Sequence, residues 1–196
     1  MRIILATMQK TKSNLYLTLT TECLTLRKPE LRDAAQFAAI RSNDAVNRYL
    51  DRQSSMNTGD ARAFIKTIRN GIKAGKSYYW AISFTGDHKL IGAICIWNLD
   101  EEKSTAEVGY ELHPDFQRKG LMHEALKAVL QFGFERLFLE QIRAFTHEAN
   151  ERSIKLLAQT GFEREKGPEG DLYDQATEAE MAVYCLNNPN KKARLG

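Results

Sequence analysis

One stretch constrains the fold more than any other: Val108-Gly109-Tyr110-Glu111-Leu112-His113-Pro114-Asp115-Phe116-Gln117-Arg118-Lys119-Gly120-Leu121-Met122. It begins as a strand, is broken by His113-Pro114-Asp115, and restarts as a helix near Lys119. Between the two lies a basic turn with a glycine. A helix N-terminus presents backbone N–H groups without intrahelical partners, at the positive end of the helix dipole. That combination binds anions, and phosphates suit it best. Gly120 allows close backbone approach, the amides of Arg118 to Met122 supply donors, and Arg118 and Lys119 add charge. The turn is expected to hold the diphosphate of a large cofactor.

The rest of the chain reads as alternating elements around that stretch. Residues 1–20 are an N-terminal extension, with a break near Thr20–Glu22 and a first core strand at Leu24–Lys28. Apolar spacing predicts a helix over Glu30–Ser42, a short one over Ala45–Leu50, and one capped by Thr58 that ends near Ala74-Gly75. Three strands follow, Tyr78–Phe84, Leu90–Leu99 and Thr105–Leu112, joined by short polar links as in an antiparallel meander. Then come a helix from Lys119 to Phe138, a strand at Gln141–Thr146, a helix from Asn150 to Gln159 closed by Gly161, a loop over 162–177, and a strand at Glu180–Leu186. The fold class is α/β: one domain over 21–188 with a mixed sheet of about seven strands, and a polar tail at 189–196. Crossover helices in the second half imply parallel pairing beside Thr105–Leu112.

Composition narrows the function. A formal net charge of +3 over 196 residues is too weak to predict nucleic-acid binding. No stretch approaches the roughly 20 apolar residues of a membrane span. Cys23, Cys95 and Cys185 are scattered, without metal or disulfide spacing. His123-Glu124 lacks the second histidine of a zinc motif, because Lys127 stands in its place. A cytoplasmic protein with no metal and no direct nucleic-acid contact is expected, either a monomer or a homodimer.

Two motifs then resemble a known family. Gln117-Arg118-Lys119-Gly120-Leu121-Met122 is similar to the acetyl-coenzyme A signature of the GCN5-related N-acetyltransferases. Glu107-Val108-Gly109-Tyr110-Glu111-Leu112 with His113-Pro114 resembles the corresponding block of the RimJ/RimL-type branch, as does the entry pattern Thr21-Glu22, Leu24, Leu26-Arg27, Pro29. Asn150-Glu151-Arg152-Ser153-Ile154, leading to Gly161-Phe162, resembles the family's second motif. The resemblance implies acetyl-coenzyme A as acetyl donor. Leu112, Gln117, Arg118, Lys119, Gly120, Leu121 and Met122 would hold it, with Asn150 on the pantetheine arm and Ser153 at the thioester sulfur. It implies a primary amine as acceptor, foremost a protein N-terminal α-amine of the ribosomal-protein type.

The catalytic residues are harder to read. Many family members place a tyrosine where this chain has Leu157, as the acid for the leaving thiolate; here Ser153 is the candidate acid. For the base, Glu107 and Glu111 lie four apart on one strand and hence on one side. Glu107 is preferred, and His113 is a lesser possibility. The acceptor site would be lined by Asn47, Arg48, Tyr49 and Gln53, and by an acidic edge at Glu163, Glu165, Glu169, Asp171, Asp174, Glu178 and Glu180. Two alternatives stay open: a small amine such as a polyamine or aminoglycoside as acceptor, or a coenzyme A-binding sensor that has lost catalysis.

Overall fold

The computed structural model describes residues 18–50, 52, 55–102, 104–166, 171–174 and 179–189, with backbone alone for 171–174 and 179–180. The expectations for residues 1–17, Gln53, Glu169, Glu178 and the extreme C-terminal tail lie outside the described residues. Among the described residues, nine strands form one sheet: β1 (Leu19–Thr20), β2 (Leu24–Arg27), β3 (Tyr78–Phe84), β4 (Gly92–Asp100), β5 (Thr105–Leu112), β6 (Gln141–His147), β7 (Glu163–Arg164), β8 (Asp171–Asp174) and β9 (Ala179–Asn187). Their order is β1-β2-β3-β4-β5-β6-β9-β7, with β8 also on β9. Every pairing is antiparallel except β5 with β6. β7 and β8 lie where the sequence predicts loop. They carry no hydrophobic repeat of their own and are strands because they share the edge of β9 that β6 leaves open.

Among the described residues, five α-helices flank the sheet: α1 (Ala34–Arg41), α2 (Asp44–Asn47), α3 (Thr58–Lys73), α4 (Leu121–Glu135) and α5 (Glu151–Gln159). α4 buries Ala125, Leu126 and Val129 against Ile94, Ile96 and Ile142 of the sheet, all fully buried. On the opposite face α1 and α3 bury Phe37, Ile40 and Ile65 over Ala81 and Ala93. A strand alternates its side chains between faces. On β5 the even residues Ala106, Val108, Tyr110 and Leu112 therefore join the α4 side, and Glu107, Gly109 and Glu111 face the other way. α3 is capped by Asn57, one residue before the expected Thr58. The Asn57 side chain accepts from Asp60 N–H at 3.0 Å and Asp60 returns the bond to Asn57 N–H at 3.1 Å, a reciprocal box that Thr58 cannot make from inside the helix. No helix among the described residues is long and apolar enough to cross a membrane.

Candidate active site

Strand parity opens a gap beside β5. Leu112 stands opposite Gly92, and His113 N–H donates to Ile91 O at 2.9 Å. Antiparallel bonding alternates along a strand, so Glu111 and Gly109 turn their amides to β4. Tyr110 and Leu112 turn theirs away. On that side β5 pairs with β6 only through Thr105, Ala106 and Glu107. Past the Glu107 and Arg143 pair the strands part, β5 running on to Leu112 and β6 to His147. Among the described residues, no strand meets the outward amides of Tyr110 and Leu112; they face a wedge.

The mouth of the wedge is framed by hydrogen bonds. Gln117 Nε2 donates to Leu112 O at 2.9 Å, and Arg152 Nη1 of α5 donates to Gln117 Oε1 at 3.0 Å. Gln117 therefore ties β5 to α5 across the opening. Next to it α4 begins. Gly120 is its N-cap, at φ 77°, with no side-chain cap, and Arg118 is also left-handed at φ 62°. Glu124 N–H makes the first helical bond, to Gly120 O at 3.0 Å. The amides of Leu121, Met122 and His123 precede it and point outward. Such runs of converging N–H groups bind anions. A Cβ on Gly120 would touch nothing within 4 Å, so the positive φ alone demands glycine here. Leu121 and Met122 bury their side chains in the core and offer the turn only their amides. Arg118 and Lys119 are exposed, with Lys119 Nζ 5.7 Å from the Phe116 ring centre. Converging donors, a Cβ-free backbone and loose positive charge fit a diphosphate, and a wedge edged by two free amides fits an extended amide-bearing arm.

The α4 side of the wedge carries a hydroxyl pair. Tyr110 OH and Ser153 Oγ are 2.8 Å apart. Burial pushes the Tyr110 phenol up to about 12, against a smaller lowering by Ser153, so it stays a protonated hydroxyl through the neutral range. Asn150 caps α5, its Oδ1 accepting from Ser153 N–H at 3.2 Å. Leu157 is fully buried in the core, so the missing tyrosine there leaves an apolar packing position. The phenol beside Ser153 is that of Tyr110. Tyr110 is visible in the Glu107–Leu112 block of the sequence, but nothing local says that it meets Ser153, 43 residues away.

The opposite face carries the carboxylates, and they differ. Glu111 accepts from Arg41 Nε at 3.0 Å, Arg52 Nη1 at 2.6 Å and Tyr79 OH at 3.3 Å. Asn47 braces both arginines, donating to Arg41 O and accepting from Arg52 Nε, each at 2.7 Å. Burial, then Glu111 beside it, pushes the Tyr79 phenol well above its usual value. Glu111 is thus the hub of a closed ionic cluster. Among the described residues, Glu107 accepts only from Asn98 Nδ2, at 2.6 Å. His113 caps the single turn Pro114–Phe116, Nδ1 accepting from Asp115 N–H at 3.3 Å, a local structural task. Of the expected acceptor lining, Tyr49 meets His147 with ring centres 5.5 Å apart. Glu165 is paired with Arg143 at 3.2 Å, so the described part of the acidic edge is partly neutralised.

Comparison with known proteins shows the family. The model of the acetyltransferase (GNAT) domain matches residues 24–163. The uncharacterized N-acetyltransferase YoaA of Bacillus subtilis (strain 168) is 31% identical over 173 residues, 88% of this chain and 98% of that protein. The [ribosomal protein uS5]-alanine N-acetyltransferase of Escherichia coli (strain K12) is 29% identical over 155 residues, 75% of this chain and 78% of that protein. A crystal structure of a probable acetyltransferase superposes with a TM-score of 0.77 at 23% identity, over 88% of this chain and 97% of that one. The chain belongs to the acetyltransferase (GNAT) family, and is an N-acetyltransferase with acetyl-coenzyme A as its acetyl donor.

Proposed function

We propose that this enzyme acetylates protein N-terminal α-amines, and that β5 divides the proton transfers between its two faces. The observation that carries the division is the odd spacing of Glu107 and Tyr110 on one strand. Three residues apart, they point to opposite sides, so a base and an acid flank the wedge without neutralising each other. Acetyl-coenzyme A supplies the thioester carbonyl that the amine attacks. The outward amide of Leu112 polarises the carbonyl oxygen in the manner of an oxyanion hole. Glu107 removes the amine proton, directly or through a water. Ser153 delivers a proton to the departing thiolate while Tyr110 passes its own proton to Ser153; solvent then returns a proton to Tyr110 and takes the amine proton from Glu107, so the protons balance. The amides of 118–122 with Gln117 hold the diphosphate, and the free Asn150 Nδ2 lies beside the arm.

The acceptor class is supported by the E. coli relative, whose name specifies the alanine of ribosomal protein uS5. Free-thiol release at saturating acetyl-coenzyme A tests it, with peptides beginning in alanine, serine or methionine set against spermidine and an aminoglycoside. The peptides are expected to accelerate release most. Faster release with spermidine or the aminoglycoside would overturn the N-terminal reading.

A further inference from the structure

One large aromatic side chain on the carboxylate face stays half open. Trp97 is 49% exposed, whereas the other tryptophan, Trp80, is fully buried. Trp97 stands opposite Glu107 in the β4–β5 register. Its indole leans along β5: Nε1 lies 3.9 Å from where a Cβ on Gly109 would be. The ring therefore covers bare backbone between Glu107 and Gly109. Glu107 is also the last β5 residue paired with β6, so the ring and the carboxylate sit together where the wedge opens.

The backbone is shaped around this pair. The β4–β5 register shifts between Trp97 and Asp100, and Asn98 adopts φ 48°. Such bulges re-aim side chains. Here the Asn98 amide is brought onto Glu107 Oε1, leaving Oε2 without a hydrogen bond among the described residues. Glu111 is matched by two arginines, and Arg143, beside Glu107, gives its bonds to Gln141 and Glu165. Glu107 is thus the carboxylate of this face with no ion-pair partner among the described residues. Across the wedge Phe145, 38% exposed, lies two residues along β6 from Arg143 and shares its face.

An exposed indole beside an unmatched carboxylate is the chemistry that receives an ammonium group: the ring attracts the cation and its adjoining methylenes, and the carboxylate pairs with it. We infer that Trp97 and Glu107 form the acceptor subsite, which takes a primary ammonium with its first carbons lying on the indole, and that Phe145 forms the far wall. This rests on the proposed transfer to a primary amine, and it makes Trp97 a specificity-determining residue.

Two measurements on the full chain test it. With Trp80→Phe, Trp97 is the single tryptophan of the two in the chain, and its emission reports the subsite. Titration with n-butylammonium chloride is expected to give a saturable change that equal sodium chloride does not, and that Glu107→Gln weakens at least threefold. No saturable change, or one indifferent to Glu107→Gln, overturns the inference whatever the transfer activity. In kinetics with an alanine-initiated peptide and with spermidine, Trp97→Ala is expected to raise the acceptor KM at least tenfold, and Trp97→Phe to restore most of it. The acetyl-coenzyme A KM stays within twofold. An unchanged acceptor KM overturns the inference. A saturable emission change with spermidine as the better substrate would overturn the N-terminal reading and leave the subsite standing.

Discussion

The Tyr110 hydroxyl lies 2.8 Å from Ser153 Oγ, joining the strand that borders the wedge to the helix on its far side. If this pair supplies the proton on the sulfur side, each member matters in the rate and neither matters in cofactor affinity. Ser153→Ala and Tyr110→Phe are each expected to lower kcat by about 10²-fold, the lower range of general-acid contributions, with the acetyl-coenzyme A KM unchanged. The double variant should lose little more than either single one, since groups acting as a unit are non-additive. Steady-state kinetics of the four proteins checks this.

Gly120 is required by its φ of 77°, and the same turn carries the anion-binding amides. Gly120→Val forces a β-branched residue into the left-handed region, costing about 1–2 kcal/mol, and distorts the donors at the start of α4. Thermal denaturation should show a lower midpoint for the variant. It should also show loss of the upward shift that acetyl-coenzyme A gives the parent protein.

The two carboxylates of β5 should respond oppositely to neutralisation. Glu111 is 8% exposed between Arg41 and Arg52, and removing one partner of a buried charge cluster costs about 3 kcal/mol. Glu111→Gln is therefore expected to destabilise strongly in a denaturant titration. Glu107→Gln disturbs one hydrogen bond at the open face, should leave stability within about 0.5 kcal/mol, and should act on the rate of transfer.

Stability should fall on the alkaline side. Burial, with Glu111 nearby, pushes the Cys95 thiol from 9.0 to about 12. The folded state keeps that proton where the unfolded chain releases it. The sign follows: the contribution is intact below pH 9 and is lost as pH rises toward 12, at up to about 1.4 kcal/mol per pH unit for one proton. Cys95→Ala should flatten the decline in denaturant midpoint between pH 8 and pH 10; Tyr110→Phe should act one unit higher.

Much of this molecule is legible along the chain because its signals are local. The strands Tyr78–Phe84 and Thr105–Leu112 have the bounds expected from the short polar links between the strands, and the 117–122 turn is a contiguous motif. The sites read less well are built from distant residues. Glu111 meets Arg41 and Arg52 across 70 and 59 positions, so four-residue spacing to Glu107 reveals their shared face and nothing of their different surroundings. Ser153 is legible as a helix residue, but its partner Tyr110 is set by how α5 docks on β5. Trp97 reads as a strand residue among apolar neighbours, and only the bulge beside it explains why it stays open. β7 and β8 are too short for periodicity and depend on the one edge of β9 that β6 leaves open.

Acetyl-coenzyme A is expected in the wedge between β5 and β6, closed by the start of α4. Isothermal titration of acetyl-coenzyme A into the parent protein and into Gly120→Val tests it most directly. One site per chain is expected in the parent and an affinity at least tenfold weaker in the variant, with the fold retained by circular dichroism. No binding by the parent, or equal affinity in a folded variant, would contradict it.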